Sequence, residues 1–106
     1  MTTNTNPIAV KYSDSKLHIL VEEFITMQKR EFTFKDLCSY VLYWAKEEGK
    51  TANTGLYESN QLSSADCERL RVILKKIIQE GRIQIKDDIQ ETSSLNNESR
   101  FVRLLN

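Results

Sequence analysis

The stretch Leu70-Arg-Val-Ile-Leu-Lys-Lys-Ile-Ile-Gln-Glu-Gly-Arg-Ile83 determines the fold that we predict for this chain. Its aliphatic residues recur at three- and four-residue steps as far as Ile78, which places them on one face of an amphipathic helix. Gly81 ends that helix, because glycine readily adopts the left-handed conformation that closes many helices. Residues 82–86 then alternate between polar and apolar, which is typical of a half-buried strand. The stretch therefore predicts a helix and a strand that share one apolar interior.

Two further helices are predicted upstream. The first covers about residues 16–28, and the second covers about residues 35–48 and ends at Gly49. Their apolar residues, like those of the third helix, follow the helical period and are predicted to face the core: Leu17, Leu20, Val21, Phe24 and Met27 in the first, Phe34, Leu37, Cys38, Val41, Leu42 and Ala45 in the second, and Leu70, Ile73, Leu74, Ile77 and Ile78 in the third.

Polar residues at the starts of these helices have the spacing of helix caps. Thr33 precedes Asp36 by three residues, as Ser63 precedes Asp66, so that a hydroxyl can accept from a free amide of the first turn. Residues 13–15, Ser-Asp-Ser, provide a similar start for the first helix. These signals place the three helix starts independently of the apolar pattern.

The remaining segments complete the predicted fold. Residues 1–14 are rich in threonine and asparagine and are predicted to be a flexible tail, within which residues 8–10 either add a small strand or pack on the body. Residues 50–62 show no period and are predicted to be a loop anchored by Leu56 and Tyr57. Residues 100–105 follow a polar stretch and are predicted to form the last strand. We predict an α+β, mainly α, domain over residues 15–106, with a three-helix core and a small C-terminal β-hairpin.

The composition fits one folded domain. The chain has 106 residues, of which 40% are apolar and 28% are charged, and this is too hydrophobic for a disordered protein. Lysine plus arginine and aspartate plus glutamate number 15 each, so the net charge is zero. Because phosphate neutralisation supplies much of the affinity for nucleic acid, this balance counts against strong non-specific binding.

No residue pattern predicts catalysis. Cys38, Cys67 and the single histidine, His18, lack metal-site spacing, and the sequence has neither a nucleophile elbow nor a glycine-rich phosphate loop. Cys38 is expected to be buried and inert. Cys67 lies in the first turn of the third helix, where the dipole lowers a thiol pKa, but a redox role is disfavoured because no partner thiol is expected nearby. We predict a protein that is not an enzyme and has no metal or cofactor.

The cellular location is predicted from what the sequence does not contain. Its first residues have no apolar signal segment, and no stretch approaches the length of a membrane span. Two cysteines without a disulfide framework suit a reducing compartment. A cytoplasmic location without a membrane partner is therefore expected.

The succession helix, short extended piece, helix, loop, helix, strand, polar loop, strand resembles the winged-helix (winged helix-turn-helix) family. The resemblance covers roughly residues 15–105, and its most specific part is the end of the third helix with Gly81 and the strand after it. It implies a non-catalytic DNA-binding protein, such as a small transcriptional regulator or accessory factor, acting as a homodimer. Two features depart from the family: residues 49–62 make a long connection, and the strand near residues 32–34 is short.

In that family the third helix enters the major groove of duplex DNA. The residues of this chain that would contact DNA are Arg69, Lys75, Lys76, Gln79, Arg82 and Arg100. The alternative is a solvated charged face, because residues 61–106 contain eight lysine and arginine residues against seven aspartate and glutamate residues. Four of those acids, at positions 87, 88, 91 and 98, fall in the predicted wing loop.

A second hypothesis is a protein-interaction or dimerisation module of the same fold. Tyr40, Tyr43 and Trp44 lie beside or away from the core stripe of the second helix, and such aromatics are enriched at interface hot spots. Against this, the loop of residues 50–62 needs something to pack on and would make these rings part of the core. From the sequence alone we favour the buried arrangement.

Overall fold

The computed structural model describes residues 7–52, 61–86 and 99–103. The elements in chain order are α1 (Asp14–Met27), β1 (Phe32–Thr33), α2 (Phe34–Glu47), α3 (Ser64–Gln79), β2 (Ile83–Ile85) and β3 (Arg100–Arg103). Three helices and a small antiparallel sheet confirm the predicted α+β, mainly α, fold with a C-terminal strand pair. Leu56 and Tyr57 of the predicted loop, the predicted wing loop and the last residues of the predicted closing strand lie outside the described residues.

Each helix begins at a predicted cap. The Oγ of Ser13 accepts from the amide of Lys16 at 3.1 Å, which starts α1 two residues earlier than the sequence predicts. Thr33 and Asp36 form a reciprocal capping box, with both hydrogen bonds at 3.0 Å. The Oγ of Ser63 accepts from the amide of Asp66 at 3.2 Å. These bonds satisfy amides that would otherwise have no partner, which is why the starts were readable from sequence.

Two glycines end α2 and α3 as predicted. Gly49 has φ of +68° and Gly81 has φ of +77°, in the left-handed region that side chains with a Cβ rarely adopt. After Gly81 the chain reverses, and the amide of Arg82 donates to the carbonyl of Ile77 at 3.3 Å. The reversal returns Ile83, which is 1% exposed, to the core beside Ile77.

The sheet has the order β1-β3-β2, with both pairs antiparallel. Phe32 of β1 pairs with Phe101 of the central strand, and their rings stack with centroids 5.5 Å apart. Ile83 pairs with Arg103 on the other side. Because β1 leads directly into α2, this small sheet fixes the start of α2 against the C-terminal strand.

The core contains most of the residues that the helical period predicts. Its buried apolar side chains come from the segment before α1, all three helices, all three strands and the residues just before α3: Ile8, Val10, Tyr12, Leu17, Leu20, Val21, Phe24, Ile25, Phe32, Phe34, Leu37, Val41, Leu42, Ala45, Leu62, Leu70, Leu74, Ile77, Ile83 and Phe101. The prediction for Met27 was wrong, since it is 54% exposed while Ile25 is buried. Both residues flank the apolar stripe of α1, so the helical period does not distinguish them.

Three other predicted core residues are only half-buried. Cys38, Ile73 and Ile78 pack against the core without being fully enclosed. Ile73 and Ile78 lie at the edges of the apolar stripe of α3, whereas Cys38 lies within the stripe of α2 and lines a surface cleft.

The segment before α1 is part of the body and not a tail as far as the structure describes it, from Pro7 onward. Ile8 bridges Leu62 in parallel, and Val10 bridges Thr51 in antiparallel. Both side chains are buried, as is that of Tyr12. Apolar residues at every second position of an extended chain face the same side, which explains how this segment packs on the body. It joins the two ends of the connection between α2 and α3.

Candidate interaction surfaces

Arg69, a predicted DNA contact, has partners within the molecule. Its guanidinium donates to Asp14 and to Asp66, each at 2.8 Å, and also to the carbonyl oxygen of Tyr12. Burial lowers the pKa of Arg69, but the hydrogen bonds to the two carboxylates outweigh it and the pKa rises. The side chain therefore ties the segment before α1 to α3, and a phosphate would have to displace two carboxylates.

Asp66 is the buried centre of this arrangement, and sequence reasoning identified it only as a capping acid. It is 4% exposed. Its carboxylate accepts from the amide of Val10 at 2.9 Å, from the hydroxyl of Ser63 at 2.7 Å and from Arg69 at 2.8 Å. The three donors satisfy the buried carboxylate, so the segment carrying Val10 is held by a polar clamp.

Arg82 is also paired. It donates to both carboxylate oxygens of Glu22 and to Glu80 at 3.3 Å. Glu22 in addition contacts Nε2 of His18 at 3.0 Å. The hydrogen bonds from Arg82 lower the pKa of Glu22, and the same bonds raise the pKa of Arg82. This bidentate pair links α1 to the start of β2.

The cations in or next to the two longer strands also have partners. Arg100 and Lys86 lie 3.9 and 3.8 Å from the carboxylate of Glu31. Arg103 donates to carbonyl oxygens at the end of α1, those of Ile25 and Thr26. The carboxylate of Glu31 offsets part of the positive charge of Arg100 and Lys86, whereas the carbonyl contacts fix the position of Arg103 and leave its charge in place.

The exposed face of α3 keeps the other predicted DNA contacts. Lys76 and Gln79 are exposed, and Lys75 is half-buried. Among the residues that the structure describes, no ion pair involves Lys75 or Lys76. Val72, which is 57% exposed, lies on the same face. Of the six residues predicted to contact DNA, the three arginines are paired with carboxylates of the same chain. Lys75, Lys76 and Gln79 remain as candidate DNA contacts.

A shallow cleft of about 370 Å³ between α1 and α3 brings Arg69 and Lys76 together. Its lining is mixed in charge and polarity: Asp14, Ser15, His18, Arg69, Val72, Ile73 and Lys76. Because Asp14 is already bound to Arg69, Lys76 is the cation of this cleft without an ion pair among the described residues, and it lies beside apolar surface. It is not the continuous basic patch that tight phosphate binding uses.

The second helix carries a different surface. Tyr40, Tyr43 and Trp44, at steps of three and four residues, form what we call the aromatic surface of α2. Tyr43 is 56% and Trp44 is 37% exposed, so the favoured prediction that these rings belong to the core was wrong for both. Tyr40 is half-buried and packs on Phe24 with ring centroids 5.2 Å apart.

Ring contacts hold the aromatic surface in place. Tyr43 packs edge-to-face on Trp44 with centroids 5.3 Å apart, and Trp44 in turn packs edge-to-face on Tyr40 at 6.5 Å. Such edge-to-face pairs are favourable because the positive edge of one ring meets the negative face of the other. Through Tyr40 and Phe24 the exposed rings are supported by the core.

The rim of the aromatic surface carries acids. Burial raises the pKa of Tyr40, and the charge of nearby Glu23 raises it further. Glu47, which is exposed, lies seven residues after Tyr40 and therefore on the same face of α2. The surface is thus apolar in the middle with a carboxylate near Tyr40 and another toward the end of the helix.

The described ranges 7–52, 61–86 and 99–103 contain neither a metal-binding cluster nor a membrane-spanning helix. Within them, no group of three or more histidine, cysteine, aspartate or glutamate side chains is arranged to hold a metal ion. None of the three described helices has the length and apolar character needed to cross a membrane. Comparison of the chain with protein-family models, with curated proteins and with solved structures finds no match.

Proposed function

We propose that this chain is a non-catalytic winged-helix domain that binds another protein through the aromatic surface of α2. The element order, with the third helix followed by two paired strands, and the sheet order β1-β3-β2 support the winged-helix part of the proposal. The single observation that carries the binding function is the exposure of Tyr43 and Trp44, at 56% and 37%, on a helix whose opposite face is in the core.

Rigid, exposed aromatics favour protein binding for an energetic reason. Tyrosine and tryptophan bury a large area on association while losing few rotatable bonds. Here their mutual packing and the support of Tyr40 hold the rings before a partner arrives, so that less conformational entropy is lost on binding.

The charge around the rings indicates the chemistry of the partner. Glu23 and Glu47 flank the aromatic surface, so a partner with an apolar anchor and neighbouring lysine or arginine residues is complementary to it. A second copy of this chain brings the same acids to the interface in a two-fold dimer, and this disfavours homodimerisation through this face. The proposed occupant is therefore a basic, apolar-anchored segment of another protein.

Selection of peptides tests this proposal without knowledge of the natural partner. A displayed library of random peptides is selected against the wild-type chain, and binders are titrated while the emission of Trp44, the only tryptophan, is followed. We expect selected peptides to share an apolar anchor flanked by basic residues and to shift the Trp44 emission on binding.

Two double variants separate the surfaces in that experiment. Tyr43→Ala with Trp44→Ala is expected to weaken binding of the selected peptides at least about 100-fold, as hot-spot truncation does. Lys75→Ala with Lys76→Ala is expected to leave it unchanged. The proposal fails if no selected peptide perturbs Trp44, or if the aromatic double variant binds the peptides as tightly as the wild type.

Duplex DNA is the second candidate partner, and the observation that favours it is the pair Lys75 and Lys76 on the exposed face of α3, with Gln79 one turn further on. Such a domain would act as a small transcriptional regulator or accessory factor. Two phosphate contacts predict a slope of about −2 in a plot of log affinity against log salt concentration. Titration of a labelled random-sequence duplex at low salt measures this slope.

The lysine double variant provides the control for DNA binding. It should abolish duplex binding, while the aromatic double variant should bind the duplex like the wild type. Absence of duplex binding at low salt rules out the second candidate. If instead sedimentation shows a dimer that the aromatic double variant dissociates, the occupant of the aromatic surface is a second copy of the chain.

A further inference from the structure

The fold brings the two cysteines together. Cys38 lies on α2 and Cys67 lies in the first turns of α3, and the two side chains face one cleft. Both are half-buried, and neither is in a disulfide. The structure thus corrects the expectation that Cys67 has no partner thiol nearby, and it shows Cys38 half-buried where full burial was expected.

Solvent reaches the two thiols through a cleft. Cys38 and Cys67 line the same surface cleft of about 550 Å³, together with Lys35 and Arg71. Of the two cations, Arg71, which also pairs with Glu68 at 3.1 Å, lowers the pKa of Cys67. The cleft therefore offers a small polar reagent access to both sulfur atoms.

The contacts assign different roles to the two sulfurs. The Cys38 thiol donates to Cys67, which lowers the pKa of Cys67, and the positive charge of Arg71 lowers it further, against the opposing effects of burial and of Asp66. The same hydrogen bond and burial raise the pKa of Cys38. Cys67 is consequently the nucleophile of the pair, with Cys38 retaining its proton beside it.

We propose that Cys38 and Cys67 form a redox-active dithiol that a peroxide converts into an intramolecular disulfide joining α2 to α3. The Cys67 thiolate attacks one peroxide oxygen and the O–O bond breaks, giving a sulfenic acid and a hydroxide that takes up a proton as water. Cys38 then attacks the Cys67 sulfur as its S–O bond breaks, and the departing hydroxide takes the Cys38 proton. Two thiols lose two electrons, and hydrogen peroxide becomes two water molecules.

Intact mass after treatment with hydrogen peroxide tests the order of these steps. The wild-type chain is expected to lose two hydrogen atoms and stay monomeric. Cys38→Ser is expected to stop at a sulfenic acid on Cys67 that dimedone traps, and Cys67→Ser is expected to react at least about tenfold more slowly. Oxidation of the wild type only to dimers linked between chains, or equal rates in the two variants, would overturn the proposal.

The pH dependence of alkylation tests the thiol contact itself. The rate of iodoacetamide reaction at Cys67 in the reduced wild type is expected to rise with a midpoint below about 8.5, the value for an unperturbed cysteine. Cys38→Ala removes the donor and should move the midpoint upward. An unmoved midpoint in a variant whose circular dichroism matches the wild type would contradict the assigned roles.

Measuring the redox equilibrium of the wild-type chain tests the proposal without relying on the folding of any variant. The ratio of disulfide to dithiol in a glutathione buffer is measured for the native chain and for the chain in denaturing urea. Because the fold places both thiols in one cleft, the ratio is expected to be at least about tenfold higher in the native chain. A native ratio equal to or below the denatured one overturns the proposal.

Discussion

The face formed by α3 and the last two strands differs from the aromatic surface of α2 in how its side chains are engaged. The first is rich in charge, yet Arg69, Arg82 and Arg100 all contact carboxylates of the same chain. The second has few polar groups, and Tyr43 and Trp44 pack on each other and on Tyr40 while remaining 56% and 37% exposed. The number of charges on a face therefore does not measure its capacity to bind a charged partner.

The largest expected effect is on the first face, at Asp66. Asp66→Ala leaves Arg69 and the amide of Val10 without their buried acceptor, and we expect a loss of about 3–5 kcal/mol in the free energy of unfolding. Urea denaturation followed by circular dichroism measures it. Asp36, at the equivalent capping position of α2 but exposed, is the matched control, and Asp36→Ala should cost about 1 kcal/mol.

A similar loss in the free energy of unfolding in both aspartate variants would show that Asp66 is an ordinary capping residue. Arg69 would in that case be available to a ligand, and the DNA hypothesis would gain a third cation.

An intermediate effect is expected from the pair Glu22 and Arg82. The pKa of Glu22 is lowered by Arg82, so the pair stabilises the fold above the unfolded-state pKa of about 4.3, and this stability is lost as pH falls through the folded-state pKa. Because Arg82 is 42% exposed, solvent screening limits the effect to about 1 kcal/mol or less.

Unfolding at a series of pH values between 6 and 3 measures this contribution. Glu22→Gln is expected to flatten the pH dependence, whereas Glu23→Gln on the next position of α1 should retain the wild-type dependence. If stability depends on pH in the same way in the wild type and in Glu22→Gln, the pair of Arg82 and Glu22 does not stabilise the fold.

The smallest effect on stability is expected on the second face. Tyr43→Ala should change the free energy of unfolding by no more than about 0.5 kcal/mol, because the side chain is 56% exposed. The neighbouring Leu42 is buried, and Leu42→Ala should cost about 2–5 kcal/mol in the same urea measurement. A large loss from Tyr43→Ala would mean that this ring serves the fold, and the proposed binding function would lose its main support.

The parts of the fold that the sequence predicted well are those with local causes. The caps at Thr33 and Ser63 and the ends at Gly49 and Gly81 depend on residues within one turn of the chain. Helical periodicity likewise identified most of the buried residues, because the face of a helix follows from spacing alone.

The missed features have causes that are distant in sequence. Arg69 and its partner Asp14 are 55 positions apart, and no local pattern relates them. Cys38 and Cys67 line one cleft although they lie on different helices and are 29 positions apart, and no local pattern relates them. The exposure of Tyr43 and Trp44 depends on how neighbouring segments are placed, which composition does not determine.

The position of β3 in the sheet has a consequence for how the chain folds. This strand lies between β1 and β2 yet follows both in the chain, and its residue Phe101 pairs with Phe32. During synthesis neither edge strand has a hydrogen-bonding partner until β3 has emerged, whereas the helices can form and pack earlier. We expect native pairing of the sheet to be the late and slow event in folding, since closing so long a loop is entropically costly.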